Sequence, residues 1–252
     1  MKNFSLKKKI NKSKDHIVKK EVKMMKNIFE NRNRIIIAIL LIAFGTITRI
    51  FLHNNLPSPP SIYININGLI QPMFMFDLFF VVAIVSLVSG LILGGYYTFI
   101  VPISTMVISD IIIGNNWIIL FTWSGFVLIG FIGYVLKIKN RMSIKYIPNV
   151  LGVGICGILL YDIWTNFGTW LGGWGYAYTL EGLALCYTKA IPFMLWHLLS
   201  TTIAMVFVIV PIIYLKEHKI TIPDFNITKI ERKITIAAPL VLMMLAVISL
   251  LF

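Results

Sequence analysis

Acidic side chains are scarce in this chain, ten Asp and Glu against 23 Lys and Arg in 252 residues. Cysteine is scarcer, with Cys156 and Cys186 alone. Two thiols make neither a disulfide framework nor a zinc-ligand set, and both read as packing residues, since free cysteine is among the most buried side chains. HExxH, GxSxG, a P-loop, a Cys/His cluster and a paired intramembrane aspartate motif are all missing. Their absence leaves no visible catalytic residue, metal site or cofactor site. No internal repeat is evident, which argues against a transporter assembled from inverted repeats.

Hydrocarbon is what the chain has in quantity. It is 58% hydrophobic with a mean hydropathy of +0.85, the composition of an integral membrane protein. Apolar runs near 35–52, 77–93, 96–113, 117–136, 147–163, 184–215 and 234–252 predict an all-α polytopic protein, with no room for a separate catalytic domain. Four parts follow: a basic tail over 1–34, a six-helix membrane core over 35–215, a connector over 216–233, and a seventh transmembrane helix over 234–252. The seventh run has only Thr235 and Ser249 to interrupt its apolar surface and reads as a lipid-facing appendage.

Charge sorts by side. The tail holds twelve Lys and Arg against Asp15, Glu21 and Glu30, a net +9. Further basic residues follow the fourth run (Lys137, Lys139, Arg141, Lys145) and the sixth (Lys216, Lys219, Lys229, Arg232, Lys233). A cytoplasmic N-terminus in the cell membrane puts all three groups on one side, as the positive-inside rule requires. The tail then reads as a topology determinant drawn to anionic lipid, not as a nucleic-acid-binding segment, and too long for a signal-peptide n-region.

Glycine and proline punctuate the runs. Gly94 and Gly95 break a stretch too long for one span. Pro57, Pro59, Pro60 and Pro72, with four Asn, make 53–76 an outer loop suited to a lid. Pro102 is expected to kink the third span, and the over-long sixth, with Pro192 and Pro211, to be bent in its first part or to lie there at the outer interface. Gly152, Gly154 and Gly157 suggest close backbone contact along the fifth.

Against this background the remaining ionisable residues stand out. Arg49, His53, Asp77, Asp110, Asp162, Glu181 and Lys189 all fall near the outer ends of spans, with His197 deeper. Polar groups in a membrane are costly and mark partners, ligands or pathways, so their convergence suggests a polar binding pocket. Structural ion pairs or snorkelling side chains account for the same pattern. Asp162, Asn166 and Trp170 are spaced four apart and share one face if the helix continues, offering a carboxylate, an amide and an aromatic plane. An interfacial belt of Tyr161, Trp164, Trp170, Trp174, Tyr176 and Tyr178 is the alternative. Asp110, after Ser109 in an otherwise apolar helix, is a candidate by itself.

Three segments carry a resemblance: Pro102, Met106, Ser109, Asp110 and Gly114 in one span; Asn166, Gly168 and Trp170 in another; and Gly182, Cys186, Tyr187, Ala190, Pro192 and Phe193 in a third. In this order they are similar to a family of small membrane proteins that resembles the substrate-binding S components of energy-coupling factor (ECF) transporters. The resemblance covers roughly 35–215 and includes Arg49 before the Pro/Asn loop. It departs at Ala38 and Ala43, five apart where S components carry Ala-x3-Ala.

The resemblance implies a six-helix S-component-like bundle carrying an added C-terminal helix, and capture of a small polar or heterocyclic micronutrient from outside. It also implies docking on an ECF coupling protein with ATPase subunits, and no enzymatic activity. Asp110, Asn166 and Trp170 are the expected central contacts, with Arg49, Asp162, Glu181 and Lys189 around them. Two rivals remain open: a structural or assembly protein, and a membrane enzyme using Asp110, Asp162 or His197.

Overall fold

The structure, a computed structural model, describes residues 31–55, 63–66, 68–72, 78–114, 118–139, 143–218 and 225–251. Seven helices account for most of them. Helix α1 spans Asn31–Asn55. A two-stranded antiparallel hairpin follows, β1 (Tyr63–Ile66) and β2 (Leu69–Pro72), its turn closed by Gly68 at φ 85° and by the Gly68 N–H donating to Asn65 Oδ1 at 2.9 Å. Part of the 53–76 segment, expected as a loop, is therefore a hairpin.

Helix α2 runs Phe79–Val88 and continues as a π-helical turn, Ser89–Leu93; α3 is Tyr97–Ile113 and α4 Ile119–Ile138. After the short 3-10 turn Ile144–Tyr146 come α5 (Ile147–Leu171), α6 (Leu180–Glu217) and α7 (Lys229–Leu251). Five helices, α1 and α4 to α7, are long and apolar enough to cross a membrane; α2 and α3 are apolar but shorter. Their brevity suits their position. Helix α2 is buried at nearly every residue, so its neighbours, not lipid, set the length it needs.

The break after α2 falls at the paired glycines, whose φ values of 64° and 57° are those only glycine adopts readily. The close backbone contacts, however, lie elsewhere than expected. A Cβ on Gly152 would meet open space, and those on Gly154 and Gly157 would meet side chains, of Met205 and Leu87 and of Ile132, and no backbone. Backbone meets backbone between α2, α3 and α4 instead. A Cβ on Gly90 would stand 1.9 Å from the Gly130 carbonyl oxygen, one on Gly130 2.5 Å from that of Thr98, and one on Gly133 2.3 Å from that of Leu87. Without a hydrophobic force between helices in lipid, such approach is how they gain contact energy.

The helices alternate in direction, which the cross-links at each end establish. At one end Arg34 of α1 meets Glu231 of α7 and the Gly94 carbonyl, Lys137 of α4 meets the Ile92 carbonyl, and the Ile144 N–H donates to Glu217 Oε2. At the other, the end of α3 meets both the end of α1 and the start of α4. The described basic residues of the connections thus cluster at a single end, here the basic end.

Three expectations are revised. Helix α7 is no free appendage: Glu231, Thr235, Pro239 and Ala246 form a buried stripe against its neighbours, and Glu231 ties its first turn to α1. Helix α5 continues two turns past residue 163, to Leu171. Helix α6 is continuous through Pro192 and Pro211. Its 38 residues reach about 57 Å at 1.5 Å each, well beyond a hydrocarbon core of about 30 Å, so it tilts or projects. Cys186 is buried as expected, whereas Cys156 lies on the exposed surface, because its position on α5 turns away from α4 and α6.

Candidate functional site

Arg49 stands near the end of α1, and a largely buried guanidinium needs acceptors. Helix α3 supplies them. The Arg49 Nη1 donates to Asp110 Oδ1 at 2.5 Å and also to Ser109 Oγ. The second carboxylate oxygen, Oδ2, accepts from Trp123 Nε1 of α4 at 2.9 Å. The Arg49 and Asp110 side chains are 14% and 5% exposed, so both charges are largely out of water. Ser109 is held in register by its hydroxyl, which donates to the Thr105 carbonyl at 2.7 Å. Three helices therefore meet through one charged, hydrogen-bonded network.

A second polar centre lies between α5 and α6. Asp162 Oδ1 and His197 Nδ1 are 2.5 Å apart, with side chains 1% and 11% exposed. Phe79 of α2 stacks on the imidazole at 4.1 Å between centroids and 23° between planes, and Tyr161 approaches it edge-on at 6.1 Å. Phe126 of α4 closes the aromatic group, 5.5 Å from Phe79 and 4.7 Å from Tyr161. Trp123 packs against the same apolar cluster that contains Phe79 and Tyr161, so its indole joins the two centres, with its N–H on Asp110. Removing the carboxylate with Asp162→Ala strips the imidazole of a buried partner. An expected loss of about 1–3 kcal/mol in unfolding free energy is checked by thermal melting in detergent.

The end of α5 away from the basic end is an aromatic ladder. Phe121 and Trp164 lie 4.6 Å apart, Trp164 and Phe167 6.1 Å, Phe167 and Trp170 5.8 Å, Trp170 and Tyr178 6.0 Å. Trp164 Nε1 donates to Ser124 Oγ at 2.8 Å, and Trp170 Nε1 to the Ala177 carbonyl at 2.9 Å. The second bond pins the 172–179 turn, where Gly173 and Gly175 have positive φ. A Cβ on Gly182 would sit 2.0 Å from the Ala177 carbonyl oxygen, so the turn also lies hard against the start of α6.

The sequence-derived residues thus separate. Arg49 and Asp110 come together. Asp162, Asn166 and Trp170 do share a helix face, but each reaches a different partner: His197, the Asp162 carbonyl at 2.8 Å, and the Ala177 carbonyl. Asn166 also contributes its own carbonyl to Cys186 Sγ at 3.4 Å. Glu181 and Lys189 lie exposed on the first turns of α6, with Lys189 Nζ 5.8 Å from the Tyr176 ring centroid. His53 is exposed at the end of α1, and Asp77 lies outside the described residues. Sequence reasoning passed over Trp123 and Phe79. An indole N–H packed into an apolar helix bundle requires a partner, which flags the half-buried Trp123 once its place is known; nothing in the sequence signals Phe79.

The architecture and these networks define a predominantly helical, multi-pass membrane protein with buried charge concentrated in a few places. Residues 29–222 match a family of unknown function (DUF6580), and the chain belongs to that family. The match takes in α1 to α6 and stops before α7. No curated protein and no solved structure matches the chain.

Proposed function

We propose that the protein captures a small polar or heterocyclic micronutrient at the outer face of the cell membrane, as an S-component-like subunit of an ECF-type importer. On this reading α1 to α6 form the S-component-like core, α7 is an addition, and the N-terminus and the basic end are cytoplasmic. A coupling protein with ATPase subunits drives release, and the subunit itself performs no covalent chemistry.

One observation carries the reading: Arg49, Ser109, Asp110 and Trp123 converge from three helices at the end of the bundle opposite the basic one. A buried ion pair stabilises a fold poorly compared with apolar packing, so recognition accounts better for placing one there. A solute bearing both donors and acceptors competes for the Arg49 fork, the Asp110 carboxylate and the Trp123 N–H. The Trp164–Trp170 ladder offers flat faces for a ring.

Purification in mild detergent, extraction and mass spectrometry identify the solute. Asp110→Asn is then expected to weaken its binding by about tenfold or more, the loss of a charge-assisted bond. Asn166→Ala weakens it if the amide turns from its own helix to the solute. Unchanged affinity in both variants removes them from the site.

A structural or assembly role is the second reading, favoured by the internal hydrogen bonds that already engage Asp110, Asn166 and Trp170. It predicts no co-purified molecule, and losses of stability instead of binding in the same variants.

A further inference from the structure

The basic end holds another buried ion pair, which solute capture at the opposite end does not use. Arg34, in the first turn of α1, is only 5% exposed. Its Nη1 donates to Glu231 Oε1 at 2.8 Å and its Nη2 to the Gly94 carbonyl at 2.9 Å, while Nε has no partner among the described residues. The guanidinium lies 4.9 Å from the Tyr97 ring centroid and 6.0 Å from that of Phe225. Beside it Lys137 Nζ donates to the Ile92 and Leu93 carbonyls at 2.6 and 3.3 Å and lies 5.9 Å from the Phe225 ring.

These contacts have a simple origin. Where α2 ends, its last carbonyls lack intrahelical donors and carry partial negative charge, so cations gather there. With part of each cation's bonding directed at carbonyls, the guanidinium still has an edge for a carboxylate. Gly95 makes the space. At φ 57° it already favours glycine, and any Cβ would stand 2.4 Å from Arg34 Nη2 and 2.6 Å from Glu231 Oε1. The result is a cationic recess with an aromatic wall, cut to admit one carboxylate.

Its present occupant is the segment leading into α7. Phe225 is 4% and Glu231 5% exposed. Glu231 also caps its own helix: its N–H donates to Thr228 Oγ1 at 3.2 Å, and the Thr228 N–H donates to Glu231 Oε2 at 2.9 Å. One carboxylate oxygen therefore serves the cap and the other the guanidinium.

Recess and occupant differ in one respect. Arg34, Gly94, Gly95, Tyr97 and Lys137 all lie inside the family-matched region, 29–222, whereas Phe225 and Glu231 lie beyond it. The helix behind the occupant is attached by a narrow stripe and is exposed over most of its surface. A buried charge pair adds little net stability but discriminates strongly between partners. We propose that the recess is a docking site for a peptide segment of a partner protein that presents one carboxylate with an aromatic side chain six positions before it, as Phe225 stands to Glu231. Phe225–Glu231 is its occupant in cis, displaced when the partner binds.

The test uses the full chain in nanodiscs and a fluorescein-labelled synthetic peptide of residues 225–233. Phe225→Ala/Glu231→Ala vacates the recess without touching Arg34. Fluorescence anisotropy is expected to show saturable binding to this variant about tenfold or more tighter than to the wild type. The peptide carrying Glu231→Gln is expected to lose that advantage. A folded double variant that ignores the peptide, or that takes both peptides equally, overturns the proposal. So does binding that vanishes when zwitterionic lipid is replaced by anionic lipid, which assigns the recess to headgroups.

Wild-type protein supplies a readout that does not depend on the variant's folding. Hydrogen exchange of the 225–235 amides is expected to outrun that of α4 and to rise with excess peptide. Exchange of the two regions in step, unmoved by peptide, overturns the proposal equally.

Discussion

Gly90→Val is expected to leave no correctly folded protein. Gly90 lies in the π-helical turn that ends α2, and even a methyl there would stand 1.9 Å from the Gly130 carbonyl oxygen and 2.7 Å from the Tyr134 nitrogen. Those atoms are backbone of the facing helix, so no rotamer change relieves the overlap. Overpacking against flexible side chains commonly costs about 1–3 kcal/mol. Forcing two helix backbones apart at the centre of the bundle exceeds that, into the range above about 4–5 kcal/mol that marks a broken fold. Loss of the monodisperse peak in fluorescence-detected size exclusion checks it.

Gly152→Ala is the internal control. That position, also helical, faces open space, and the alanine is expected to be neutral or to raise stability by about 0.5–1 kcal/mol through helix propensity. Equal behaviour of the two variants would overturn the packing described for α2 and α4.

The second large effect concerns Asp110. Asp110→Ala leaves the Arg49 guanidinium largely buried with no countercharge and deprives Trp123 Nε1 of its acceptor. Breaking a buried pair from one side costs about 3–5 kcal/mol, because the orphaned charge stays desolvated. Asp110→Asn keeps an acceptor and is expected to cost less. Arg49→Lys keeps the charge but cannot make the forked contact with Ser109 and Asp110, so it falls between them. Chemical or thermal denaturation in detergent ranks the three. A flat ranking would show that the network is solvated and the burial of Asp110 immaterial.

This second ranking also bears on the proposed function. A site that binds solute loses affinity with Asp110→Asn while keeping most of its stability, because an isosteric amide still holds Trp123. A purely structural network loses stability and has no affinity to lose. Measuring both quantities on one variant therefore distinguishes the two readings.

The sequence revealed more of the fold than of the site. Hydrocarbon runs placed seven helices, all but α5 and α7 to within four residues at each end, because continuous apolar length is a local property that needs no knowledge of neighbours. Gly94 and Gly95 announced the break after α2 for the same reason. The ends of α5 and α7 were misjudged because polar residues there looked like loop. In the structure Asp162, Asn166 and Trp170 continue a helix, and the Thr228–Glu231 cap starts one. The glycines of α5 were chosen over those of α2 and α4, although spacing cannot tell which helix face meets another backbone.

By itself the sequence determined that the chain is built of apolar helices suited to a bilayer, and it singled out Arg49 and Asp110 as charges that are costly in such a setting. Tertiary structure alone decided who their partners are. Arg49 meets Asp110 across sixty-one positions, and Arg34 meets Glu231 across 197. Pairings of that separation depend on how whole helices pack, and packing is set by shape and close approach that no local pattern encodes.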